Sequence, residues 1–120
     1  MNTSSINFAS VFDRRDLARY ADKVRDWFDR HQYLPYFSFD LLAKDLGKDV
    51  PLSRLLEILI QLVDNGQLKV RYRVDLGDGT LSDEEFDSVD DIPPTVFDSD
   101  YEPVEVEEDA KVPVYTPAVA

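Results

Sequence analysis

The sequence predicts a mainly α-helical fold with a small β-hairpin and an acidic C-terminal extension, and three observations lead there. Apolar residues recur at three- and four-residue steps across three segments between residues 13 and 64. Residues 68–74 then switch to strict alternation, the period of a half-buried strand. Charge is divided unevenly: residues 1–74 carry 12 Lys/Arg against 10 Asp/Glu, while residues 75–120 carry Lys111 alone against 15 acids. A nearly neutral first part is thus joined to a polyanionic second part, with net charges of +2 and −14. The expected segments are an N-terminal arm over 1–12, a folded domain over 13–86 and an acidic arm over 87–120, either extended or a short hairpin.

Residues 1–12 have no clear helical period, although Ile6, Phe8, Val11 and Phe12 are apolar enough to pack. From 13 to 31 the period is helical, with Leu17, Tyr20, Ala21, Val24, Trp27, Phe28 and His31 on one face. Leu34-Pro35 ends that helix, because proline disfavours helix in the residue before it. Ser38 is a fitting N-cap for a second helix through Leu46, which Gly47 closes. A third helix opens near Pro51 and is expected to bury Leu52, Leu55, Leu56, Leu59, Leu62 and Val63 before Asn65-Gly66 stops it. The strand over 68–74 follows, and the two glycines of Asp75-Leu76-Gly77-Asp78-Gly79 mark a hairpin turn. Residues 80–86 are the expected return strand, with Ser82, Asp83, Glu84 and Glu85 making it a poor one. Ser88 caps a short turn, and Val104/Val106 with Val112/Val114 suggest a terminal hairpin.

This order of helix, short strand, helix, turn, helix and strand resembles a winged helix-turn-helix domain. The resemblance is carried by Phe37-Ser38-Phe39-Asp40-Leu41-Leu42-Ala43, by Leu55, Leu59, Leu62 and Val63, and by Asp64-Asn65-Gly66-Gln67-Leu68 leading into the strand. It covers about residues 13–86 and is general to winged helices. The resemblance implies that the helix over 51–64 is the recognition helix where such a domain binds DNA. The size and acidic tail also resemble small accessory subunits of prokaryotic or phage operons.

Much catalytic chemistry is missing. The chain has no cysteine and a single histidine, so finger- and hydrolase-type zinc sites within one chain are excluded. His31 lies on an apolar helix face near the helix end and reads as a packed or capping group favoured by the helix dipole. No P-loop or dinucleotide fingerprint occurs, and Asp75, Asp78, Asp83 and Glu84 lack the spacing of a calcium loop. The expectation is a non-enzyme with no cofactor, no metal and no catalytic residue. Lack of cysteine fits a reducing cytoplasm, residues 1–5 do not read as a signal peptide, and no apolar run reaches the ~18 residues of a membrane span.

Two classes of function follow. The favoured one is a protein-interaction module or accessory subunit of a multiprotein complex, whose partner presents a basic surface to the acidic arm. Its candidate contact residues are Tyr33, Tyr36, Arg54, Ile58 and Ile60 on the core and Asp98, Asp100, Glu102 and Glu105 on the arm. Dense aromatics over 20–39 are mainly core, with Tyr33 and Tyr36 the exposed exceptions. The alternative is a DNA-binding regulator using Arg54, Gln61, Lys69, Arg71 and Arg73, and charge argues against it because a polyanionic segment repels duplex. A DNA-mimic inhibitor is the third reading, and self-association is left open.

Overall fold

The computed structural model describes residues 1, 3 and 6–118. Asn2, Ser4 and Ser5 of the expected N-terminal arm, and Val119 and Ala120 of the acidic arm, lie outside the described residues. Among the described residues four α-helices and five strands follow in the order α1 (Ala9–Phe12), α2 (Arg15–Arg30), β1 (Phe37–Ser38), α3 (Phe39–Leu46), α4 (Leu52–Asp64), β2 (Leu68–Val74), β3 (Thr95–Phe97), β4 (Pro103–Glu105) and β5 (Lys111–Pro117). The described residues are 41% helical and 22% strand, so the fold is mixed α/β. This corrects the expectation of a mainly α-helical chain with a small β-hairpin. The difference comes from the supposed arm, where β3, β4 and β5 all lie.

The strands form a three-stranded sheet of order β1-β5-β2 and a separate antiparallel pair of β3 with β4. The terminal hairpin expected from Val104/Val106 and Val112/Val114 is therefore replaced. Val104 pairs with Val96, and β5 joins the larger sheet. The return strand expected over 80–86 is reduced to two isolated bridges, Asp75 with Leu81 and Tyr72 with Phe86. The three acids Asp83, Glu84 and Glu85 are poor strand formers, and a side chain takes over part of the ladder. The Ser82 hydroxyl accepts the Val74 N–H at 2.9 Å and donates to the Glu84 carbonyl.

The chain divides into two compact units, one of residues 1–69 with 115–120 and one of residues 70–114. The first unit is built on α2. Leu17, Ala21, Val24, Trp27 and Phe28 follow helical spacing and are all buried. Asp16 in its first turn and Arg30 in its last oppose the helix dipole favourably. Ser38 caps α3 by accepting the Leu41 N–H at 3.2 Å, as the sequence leads one to expect. Gly66, at φ +70°, ends α4 in a conformation that side chains with a Cβ disfavour. Phe8, Phe28, Trp27, Phe37 and Tyr115 form an aromatic cluster with ring centroids 5.2–5.9 Å apart in successive contacts. The N-terminal segment joins this core through Ile6, Phe8 and Val11.

Leu17, Val24, Phe28, Leu42, Leu55, Leu59 and Leu62 are buried, whereas Val70 is half-buried. On α4 the inward stripe is Leu55, Ile58, Leu59 and Leu62. Leu52 and Leu56, expected inside, are exposed instead. The apolar arc of the helix is broader than the face it buries, and packing against α1, α2 and α3 selects the part that turns inward.

The second unit has a smaller core of Val74, Phe86, Ile92 and Val96, covered by Tyr72, Leu76, Val104 and Val106. Ser88 caps a 3₁₀ turn over Val89–Asp91. Alternation along β3 buries Val96 and turns Thr95 and Phe97 outward.

Candidate functional site

In the first unit the charged residues neutralise one another. Arg14 approaches Asp16 at 2.6 Å and Glu57 at 3.1 Å, and Arg54 approaches the same two carboxylates at 3.1 and 3.3 Å. The hydrogen bond from Arg14 holds the Asp16 carboxyl below its usual range, and Asp16 in turn raises the Arg14 guanidinium. Arg54 appears in both sequence-derived residue sets, and here its guanidinium is engaged within its own fold. Ile58, expected as surface, is fully buried at 0% exposure, because it belongs to the inward stripe of α4 with Leu55, Leu59 and Leu62. Ile60 is 50% exposed and continues a stripe with Leu52 and Leu56 at four-residue steps. Tyr33 is exposed, and Tyr36 is half-buried.

His31 is a packed group. Its Nδ1 donates to the Trp27 carbonyl at 2.7 Å, and its ring stacks on the indole at 4.1 Å. The Trp27 Nε1–H donates to Asp45 at 2.7 Å, and His31 Nε2 lies 3.5 Å from the same carboxylate. Among the described residues no group of three or more His, Asp or Glu side chains converges to hold a metal ion.

The second unit carries almost all of the net charge. Residues 70–114 contain 15 acids and three cations, a net of −12, while the first unit sums to zero. Each of those cations has an internal partner: Arg71 with Asp87 at 3.2 Å, Arg73 with Glu85 at 3.5 Å and Lys111 with Glu108 at 2.7 Å. Thirteen of the 15 acids are exposed, so the anionic surface is open to solvent. Of the sequence-derived nucleic-acid set, Arg71 and Arg73 are half-buried in these pairs, Gln61 is half-buried and Lys69 alone is well exposed.

Asp98 has a structural duty. Its carboxylate accepts the Asp100 and Glu102 N–H groups, both at 2.9 Å, and shapes the turn between β3 and β4. Asp100, Glu102 and Glu105 are left to project from that hairpin. Two aromatic side chains beside them were not among the expected contacts: Phe97 is 63% exposed and Tyr101 is 85% exposed. For Phe97 part of the signal is local, given that Val96 has a core to enter. Thr95-Val96-Phe97 alternates into the Asp98-Ser99-Asp100 turn, so burying Val96 sends Phe97 outward. A cleft of about 370 Å³ runs beside this hairpin, between Asp83 and Glu84 on one wall and Phe97, Asp98 and Tyr101 on the other.

Searches of protein-family models, curated proteins and solved structures found nothing that matches the chain. Among the described residues no helix is long and apolar enough to cross a membrane.

Proposed function

We propose that the chain is a non-enzymatic protein-interaction module, acting as an accessory subunit that binds a basic partner surface through residues 70–114. The supporting observation is a net charge of −12 on a 45-residue unit whose three cations are all paired internally. Such a surface attracts cationic partners at long range and accelerates their encounter. It also disfavours duplex DNA, whose binding depends on cations free to displace counterions. Arg54, Arg71 and Arg73 are committed to carboxylates, which removes three of the five residues that a DNA-binding reading needs. The cytoplasm is the compartment this reading assigns, on the absence of cysteine.

The test compares the intact chain with a variant carrying Glu102→Gln, Glu105→Gln, Glu107→Gln and Asp109→Asn. These side chains are exposed, so neutralising them leaves the fold intact. The intact chain should retain a basic protein from host extract, with an association rate that falls as salt rises, and the variant should associate more slowly. Tight sequence-specific binding of duplex by the intact chain, abolished by Arg54→Ala, would overturn the proposal.

A further inference from the structure

We infer that the cleft beside the β3–β4 hairpin is a seat for an arginine side chain, with the guanidinium lying on Phe97 and Tyr101 and the surrounding carboxylates closing on its edge. The inference rests on the basic-partner reading above and adds which residue that partner presents, and where.

Three features of the cleft lead to this assignment. First, Phe97 and Tyr101 are the most exposed large apolar side chains of this unit, and both line the same concavity. Phe97 also borders a second cleft of about 190 Å³, with Leu76, Leu81 and Asp78 across from it, so the ring stands as a ridge between two acidic hollows. Second, the hairpin turn is held firmly in a conformation that presents Tyr101. Tyr101 has φ +62°, in the left-handed region that a bulky side chain rarely adopts. The chain is kept there by the Asp98 carboxylate, by Tyr101 N–H donating to the Asp98 carbonyl at 3.0 Å and by Asp98 N–H donating to the Glu102 carbonyl at 3.0 Å. Third, the charge is one-sided. Asp83, Glu84 and Asp98 line the larger cleft, and no Lys or Arg does. The unit's own cations do not line it; Arg73 donates to the Ser82 and Asp83 carbonyls and so braces the wall from behind.

An exposed aromatic face flanked by carboxylates selects among cations. A guanidinium is planar, stacks on a ring and keeps edge N–H groups free for carboxylate oxygens. An ammonium is strongly hydrated and offers no plane to stack. The occupant is therefore an arginine in an exposed, flexible segment of the partner, short enough in its flanking side chains to enter a shallow cleft.

The experiment uses the full chain and two labelled peptides of equal charge, one alternating arginine with glycine and one alternating lysine with glycine. Fluorescence anisotropy reads the affinities. Phe97→Thr keeps a strand former at its position, and Tyr101→Asn places there a residue that tolerates positive φ. The arginine peptide should bind about fivefold more tightly than the lysine peptide, and each variant should lose most of that preference. Ring-proton resonances of Phe97 and Tyr101 in the unmutated chain should shift on adding the arginine peptide. Equal binding of both peptides, unchanged by either variant and without ring shifts, would overturn the arginine seat while leaving the basic-partner reading standing. Binding of neither peptide would sink both.

Discussion

The two units of this chain solve the problem of charge in opposite ways. Residues 1–69 with 115–120 hold ten cations and ten acids and place Arg14, Asp16, Arg54 and Glu57 in one reciprocal network. Residues 70–114 hold five acids for every cation and spend each cation on an internal partner. The apolar cores differ as well. The first unit buries Trp27, Phe28, Phe37 and a row of leucines, whereas the second closes on Val74, Phe86, Ile92 and Val96. The larger apolar core thus lies in the neutral unit and the excess charge in the acidic one, which predicts that stability is concentrated in the former. A surface reserved for a partner is expected to carry such unmet interactions, at the expense of the stability of the unit that displays it.

The largest expected effect tests that division of stability. Leu59 is fully buried, and Leu59→Ala should cost about 2–5 kcal/mol in urea denaturation. Ile92 retains a little exposure in its smaller core, so Ile92→Ala should fall at the low end, about 2 kcal/mol. Equal losses from the two substitutions would break the comparison, because they would mean that the acidic unit is packed as tightly as the neutral one.

How much of this was legible in the sequence depends on whether an element's partner is local. The Ser38 cap, the α2 face and the strand over 68–74 are each written within a few residues, and each is found, although burial along β2 does not keep the alternation, because Arg71 and Arg73 are half-buried like Val70 and Tyr72. The rotation of α4 is not written that way. Leu52, Leu55, Leu56, Ile58, Leu59, Ile60, Leu62 and Val63 give several apolar stripes, and only packing decides that Ile58 goes in while Leu52 and Leu56 stay out. The role of β5 was hidden for a different reason. Pro113 lies within it, and proline argues against a strand with neighbours on both sides. Its neighbour β1 is only two residues long, so most of β5 has a strand on one side alone. Hence the acid-rich end read as an arm, although Val114 and Tyr115 are buried. Of the candidate contacts, the acids of the hairpin were legible from composition, whereas Phe97 and Tyr101 required knowing that Val96 has a core to enter.

One serine in each unit gives the next measure. Ser82 is buried in the acidic unit and its hydroxyl replaces a ladder partner for the Val74 N–H, so Ser82→Ala leaves a buried donor unsatisfied and should cost about 1–3 kcal/mol. Ser38 caps α3 in the neutral unit from a half-buried position, and Ser38→Ala should cost about 1 kcal/mol. The larger loss at Ser82, seen in thermal melts, would show that polar bonding carries more of the acidic unit's stability. Salt should separate the units further. Raising ionic strength from about 10 to about 100 mM shortens the screening length from about 30 to about 10 Å. Amide hydrogen exchange should then slow across residues 70–114, where like charges repel, and stay level or quicken slightly around Arg14 and Arg54, where opposite charges attract. The same direction of change in both regions would contradict the charge map.

The smallest expected effect distinguishes two depressed carboxylates, one per unit. Asp16 lies below the ordinary aspartate range chiefly because Arg14 hydrogen-bonds to it, with the charges of Arg14 and Arg54 adding to the effect. Asp78 lies below it because the Thr80 hydroxyl and N–H both donate to its carboxylate. For both, the folded value is lower than the unfolded one, so each contributes stability that is fully present above the unfolded value. That contribution is lost as pH falls through the folded value, in the window below about pH 4. The causes differ in their response to salt. A guanidinium partner on an exposed carboxylate is screened, while a neutral hydroxyl and a backbone amide are not. Carboxyl carbon titrations by NMR at low and high salt should therefore show Asp16 moving up toward the ordinary range and Asp78 staying in place. Asp16→Asn should narrow its stability gap from the unmutated chain as the solution is acidified, and high salt should shrink that gap at neutral pH. A salt-insensitive Asp16 would mean that the Arg14 and Arg54 network does not neutralise the first unit in solution, and the contrast between the two units would lose its electrostatic half.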